Sequence, residues 1–98
     1  MKIVEIAWLQ EVEEKCVRKH RVMPHEVEEV FRGNARFNFV EKGFRRGEDL
    51  YVARGRTKSG RYLMVYFIEK KDGSALVLSA RPMTQRERRS YEQKHGSH

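Results

Sequence analysis

Arg61-Tyr-Leu-Met-Val-Tyr-Phe-Ile-Glu69, then Lys70-Lys-Asp-Gly73, then Ala75-Leu-Val-Leu-Ser-Ala80: this stretch decides the fold. The first run is apolar at nearly every position. A strand with water on one face alternates, so an unbroken run reads as a central strand covered on both sides. Asp72-Gly73 suits the positive φ of a tight hairpin, which makes 75–80 its antiparallel partner. Working back, Leu50 to Thr57 is a strand with Tyr51, Ala53 and Gly55 on one face, and Lys58-Ser-Gly60 is a turn of hairpin length. Phe37 and Phe39 alternate from Arg36 onward, and the basic turn Lys42 to Gly47 carries two glycines. Three adjoining hairpins predict a twisted antiparallel sheet.

Outside that meander the periodicity changes. Residues 2–8 read as a short first strand whose partner must be non-local. Leu9, Val12, Cys16 and Val17 recur at helical spacing, and Glu11–Lys15 and Glu14–Arg18 are favourable i,i+4 pairs, so a helix spans about 9–20. Pro24 suits the first turn of a second helix, with Glu26, Glu28 and Glu29 near its positive end. Val27, Val30 and Phe31 form its stripe, and Gly33-Asn34 ends it. At the other end of the chain, Pro82 has no N–H to donate and is expected to break the last strand. Thr84 and Glu87 have capping-box spacing, so a third helix runs from Thr84 to about Lys94. The fold class is α+β: a mainly antiparallel sheet against two N-terminal helices, with a C-terminal helix. One domain covers 1–95, and Gly96-Ser-His98 reads as the start of a purification tag.

Charge is unevenly placed. Residues 1–41 hold seven Lys/Arg against eight Asp/Glu, whereas residues 42–98 hold fourteen against six. All of the +7 excess therefore lies in the second part, which points to a polyanion such as RNA, DNA or an acidic protein segment. Cys16 is the only cysteine, which excludes an intrachain disulfide and a cysteine-based zinc site and suits the cytoplasm. No apolar run approaches the ~20 residues of a membrane span, and the N-terminus lacks a signal-peptide core.

The motifs narrow the chemistry. His20, His25, His95 and His98 lack ligand spacing, so no metal site and no cofactor is expected. Gly55 to Arg61 lacks the Lys-Ser/Thr ending of a phosphate loop. Arginine, histidine and tyrosine remain beside a basic half. That set suits metal-free RNA cleavage, in which the 2′-hydroxyl attacks phosphorus and forked guanidiniums hold the developing charge. Hairpin topology puts Arg56, Arg61 and Arg81 at one end of the sheet, where they are expected to converge on an anion. His20, at a helix end, is the acid–base candidate, and Tyr91 is a supporting residue. Arg86, Arg88 and Arg89 are phosphate or acidic-partner contacts. Beside this stands a plainer reading, in which Arg81 pairs with a carboxylate and the last helix is a solvated basic face.

Several blocks resemble the BrnT-type toxins of bacterial type II toxin–antitoxin modules. They are Trp8, Lys19-His20, Glu26 to Phe31, Gly55 to Val65, and above all Ser79-Ala-Arg-Pro-Met-Thr-Gln-Arg-Glu-Arg-Arg-Ser-Tyr-Glu92. The resemblance implies a RelE-like fold and a metal-independent endoribonuclease that inhibits translation, with RNA, including ribosome-bound mRNA, as substrate. It also implies a cognate DNA-binding antitoxin as partner, operator DNA being reached only through that antitoxin. The match covers Arg81, Arg61 and His20, which are read as catalytic residues, with Arg56, Tyr91, Arg88 and Lys19 read beside them as RNA-binding ones. The chain departs from the family pattern at Leu9, Val12 and Cys16, where the family usually has Asp, Lys and Asn. Two other readings use the same basic sheet end: a non-catalytic nucleic-acid-binding module, and a face that only receives an acidic antitoxin segment.

Overall fold

In sequence order the elements are β1 (Glu5–Trp8), α1 (Gln10–His20), α2 (Pro24–Arg32), β2 (Arg36–Glu41), β3 (Leu50–Arg56), β4 (Tyr62–Glu69), β5 (Ser74–Pro82) and α3 (Gln85–Gly96). The computed structural model describes residues 1–96, with side chains through Gln93. The tag reading therefore falls on Ser97-His98 outside the described residues, while Gly96 closes α3. The strands form one sheet in the order β1-β5-β4-β3-β2. β4 lies at its centre, as its apolar run required. β2 to β5 are the expected antiparallel meander, and β1 finds its non-local partner in β5, running parallel to it from Glu5↔Ser74 to Trp8↔Val77.

Helices α1 and α2 cover one face. Alternation along β4 sends Leu63, Val65 and Phe67 into that layer, where they meet Cys16, Val22, Val27, Val30, Ala53, Val77 and Ala80, all essentially buried. Phe31 of α2 stands edge-on to Phe67 with ring centroids 5.1 Å apart. Gly55 lets α2 approach β3, since a Cβ there would lie 3.0 Å from Val30 Cγ1. Arg21 takes a left-handed conformation to end α1, its N–H donating to Val17 O at 3.0 Å. Leu9 does not join the buried stripe of α1. It sits at the N-cap position, half exposed, while Cys16 is buried.

Pro82 does not break the ladder. β5 continues through it, with Leu63 opposite Pro82, and Met83 N–H donates to Tyr62 O at 2.8 Å. Backbone N–H groups alternate sides along a strand, so position 82 points away from β4, toward the edge left empty once β1 stops at Trp8. A proline is harmless there. The last helix starts as read: Thr84 Oγ1 accepts from Glu87 N–H at 3.1 Å, and Glu87 Oε1 accepts from Thr84 N–H at 2.8 Å.

One irregularity matters most for the site. Phe67 is opposite Val77, but Tyr66 is opposite Ser79, so β5 carries an extra residue, Leu78, in a β-bulge. A one-residue slip moves every later side chain to the other face. With an unbroken register Arg81 would stand opposite Leu63 and face the helices. The bulge places it opposite Met64, on the face away from α1 and α2.

Candidate nucleic-acid interface

The bulge separates two arginines that the hairpin alone brings to one end. Arg61 lies just before β4 and turns toward the helix layer. Its Nη1 donates to Glu26 Oε1 at 2.8 Å and to Arg21 O at 2.7 Å, and its Nη2 to His20 O at 3.3 Å. Glu26 is also the third residue of α2 and accepts Met23 N–H at 3.0 Å. Arg61 thereby ties the C-terminus of α1 to the N-terminus of α2. Burial works to raise the Glu26 carboxyl, but the Met23 N–H and the Arg61 guanidinium outweigh it and hold the group below its ordinary value.

Arg81 does the equivalent job on the opposite face. Its Nη1 and Nη2 grip Glu87 Oε1 and Oε2 at 2.7 and 2.8 Å, and Nη1 also donates to Pro82 O. Glu87 is the capping residue of α3, so one carboxylate both caps the helix and pins it to the strand. The bidentate arginine, against a smaller desolvation effect, holds the Glu87 carboxyl down to about 2. In return the guanidinium of Arg81 is held above its usual range, first by the hydrogen bonds to Glu87. The plainer reading of Arg81, an arginine paired with a carboxylate, thus describes a real contact. The expected convergence of three guanidiniums does not occur: Arg56 and Arg81 share a face, and Arg61 is on the other.

What that shared face does hold is a set of cations the sequence reading missed. Arg36 of β2 is directly opposite Arg54 of β3, Arg54 is opposite Met64 of β4, and Met64 is opposite Arg81 of β5. Arginines at one height therefore cross the sheet from edge strand to β5. Arg56, two residues beyond Arg54, points the same way, its guanidinium 5.2 Å from the Tyr62 ring centre. Arg54 Nη2 donates to Asn38 Oδ1 at 2.8 Å, and its Nε is buried with no partner among the described residues. Among the described residues no carboxylate pairs with Arg36, Arg54 or Arg56. The signal that could have found Arg54 was the alternation that puts Tyr51, Ala53 and Gly55 on one face.

Tyrosines line the same surface. Tyr62 is stacked by Arg88 of α3 at 4.2 Å, donates to Glu92 Oε2 at 3.1 Å, and meets Tyr91 edge-on at 5.9 Å. Tyr66 lies under the Arg81 guanidinium at 6.0 Å. Tyr91 is buried. Burial and the neighbouring Tyr62 raise its phenol, while the charges of Arg36, Arg56 and Arg54 act to lower it. Tyr91 is thus placed near arginines of two strands, Arg36 of β2 and Arg54 and Arg56 of β3.

The remaining predicted residues lie elsewhere. His20 ends α1 in the helix layer, half-buried, and Lys19 beside it is exposed. Cys16, Val12 and Leu9 also belong to that layer. Cys16 packs in the core, where burial pushes its thiol up, and Val12 packs against the core. None of the three positions opens onto the arginine face. Among the described residues no group of three His, Cys, Asp or Glu side chains could hold a metal ion. Among the described residues no helix is long and apolar enough to cross a membrane.

The family model for the ribonuclease toxin BrnT of type II toxin–antitoxin systems matches residues 8–87. This chain belongs to the BrnT toxin family. The crystal structure of the Brucella abortus ribonuclease toxin BrnT superposes with a TM-score of 0.61 over 83% of this chain and 97% of that one. Sequence identity is 17%, so that likeness speaks for the fold. No curated protein matches by sequence. The matched segment ends at Glu87 and so includes both arginine–glutamate clamps, while most of α3, with Arg88 and Tyr91, lies beyond it.

Proposed function

We propose that this BrnT family member is a toxin endoribonuclease that binds RNA on the arginine face of its sheet. The carrying observation is the row of guanidiniums across the strands, with tyrosines beside it and, among the described residues, no carboxylate on Arg36, Arg54 or Arg56. Like charges opposite one another in a sheet are unfavourable. A surface that keeps them fits a polyanion such as a single RNA strand.

In the proposed reaction the 2′-oxygen attacks the adjacent phosphorus and its proton leaves to water. The bond to the 5′-oxygen breaks, giving a 2′,3′-cyclic phosphate and a 5′-hydroxyl once that oxygen gains a proton. Arg81 and Arg56 stabilise the phosphorane charge from fixed positions. Tyr91, the phenol set among arginines, serves as proton donor to the leaving oxygen. Arg88 contributes phosphate contacts, and Arg61 orders the α1–α2 corner beside Lys19 and His20, away from the arginine face. Inhibition of translation, action on ribosome-bound mRNA, and neutralisation by a DNA-binding antitoxin that alone contacts operator DNA complete the reading. They rest on the family.

Purified protein incubated with RNA, with and without ribosomes, tests this. Tyr91→Phe and Arg56→Ala are each expected to slow cleavage by about a hundredfold while the fold melts as in the wild type. His20→Gln is expected to cleave normally. A hundredfold loss there instead would return the proton transfer to His20. Intact RNA in every wild-type reaction, together with salt-dependent binding, would leave a binding module rather than an enzyme.

A further inference from the structure

We infer that Arg36 and Arg54 form a second phosphate-binding subsite, so that the RNA strand crosses the β-strands from β5 toward β2. This rests on the ribonuclease reading and adds to it a direction and a minimum length of substrate. The two residues are directly opposed on neighbouring strands, with Asn38 beside them. Their charges repel, and no carboxylate among the described residues offsets them. Arg54 Nε is buried without a partner among the described residues, an unfavourable placement for a polar group. An arrangement carrying both penalties is prepared for an anion that cancels them. A phosphate diester accepts from two guanidiniums at once, and its bidentate geometry matches the forked donors.

The register sets the scale. Neighbouring strands are about 4.8 Å apart, so Arg81 and Arg36, three strands apart, are separated by about 14 Å. A stacked strand rises about 3.4 Å per nucleotide, so this distance spans about four nucleotides, or fewer when the strand is extended. Between the two ends lie Arg56 and Tyr66, with Tyr62 held under Arg88 and Tyr91 of α3. Arg54 lies two strands from Arg81 and Arg36 three, so a dinucleotide at Arg81 cannot reach Arg36, whereas a hexanucleotide can.

The test is equilibrium binding of 2′-O-methyl RNA, which cannot be cleaved, as a dinucleotide and a hexanucleotide over a salt series. Arg36→Gln and Arg54→Gln are each expected to weaken hexanucleotide binding about fivefold to tenfold at low salt. Each should also reduce the slope of log K against log salt by about 0.7. Dinucleotide binding should not change in Arg36→Gln. Arg36→Gln removes no internal hydrogen bond, so it carries the test if Arg54→Gln fails to fold. Unchanged hexanucleotide affinity and slope in Arg36→Gln, with cleavage still lost in Arg56→Ala, overturns the subsite and leaves the ribonuclease reading standing. A wild type that binds no hexanucleotide at low salt overturns both.

Discussion

Glu87 shows how much one side chain can be asked to do. It caps α3, and it receives both nitrogens of Arg81. Its carboxyl sits at about 2 against an ordinary 4.5. A depressed folded value means the pair stabilises above the ordinary value, and the gain is lost as pH falls from about 4.5 toward 2. The shift corresponds to at most about 3 kcal/mol. Screening lowers this, because the two side chains remain 29% and 27% exposed. Glu87→Gln should therefore melt lower than the wild type at pH 7, and the two curves should draw together toward pH 2. Thermal melts across that range check it. Arg61 makes the opposite corner testable. Arg61→Ala leaves Glu26, whose side chain is only 9% exposed, and two backbone carbonyls without their donor. About 2–4 kcal/mol should be lost in urea unfolding, with Arg61→Lys recovering part of it. Both arginines look alike in the sequence, each three to six residues from a helix or turn signal. Neither glutamate partner is adjacent to its arginine, and for Arg61 the partner is 35 residues away.

At the scale of elements, β5 departs from what its residues announce. Proline is a sound stop signal for a paired strand, yet Pro82 is paired on the side that needs no N–H from it. Pro82→Ala is therefore expected to change stability by no more than about 1 kcal/mol, chiefly through the unfolded chain. A chemical denaturation midpoint shifted much further would mean that the proline shapes β5. Gly55 gives the contrasting case. Gly55→Ala would press a methyl against Val30 and Ala35 where α2 crosses β3, and should cost about 1–3 kcal/mol by the same measurement. The hairpins, both N-terminal helices and the Thr84–Glu87 cap were legible because each rests on contacts within a few residues. The bulge at Leu78 was not, because Leu78 differs in nothing from its apolar neighbours, and only pairing with β4 shows that it is extra.

For the whole molecule, the uneven charge becomes a surface. The fourteen basic residues of the second part do not simply make it sticky. Alternation sends some of them to one face, and register lines up Arg81 and Arg54 with Arg36 from the acidic first part. RNA binding is expected to fall steeply with salt, and cleavage to persist in EDTA because the proposed reaction uses only guanidiniums and a phenol. RNA integrity after parallel digests with and without chelator is the check. Loss of cleavage on chelation that added metal restores would overturn the metal-free reaction.

Local sequence by itself determined the order of elements, the meander, the central place of β4 and the start of α3. Turn geometry, capping and hydrophobic period act over a few residues, and each needs no knowledge of the rest of the chain. The family resemblance was also carried there, most clearly in Ser79 to Glu92. Only the tertiary structure decided where β1 pairs, that Arg61 and Arg81 stand on opposite faces, and that Arg36 and Arg54 meet. Those outcomes depend on the register between strands distant in sequence. A single inserted residue reverses which side of the sheet a guanidinium serves.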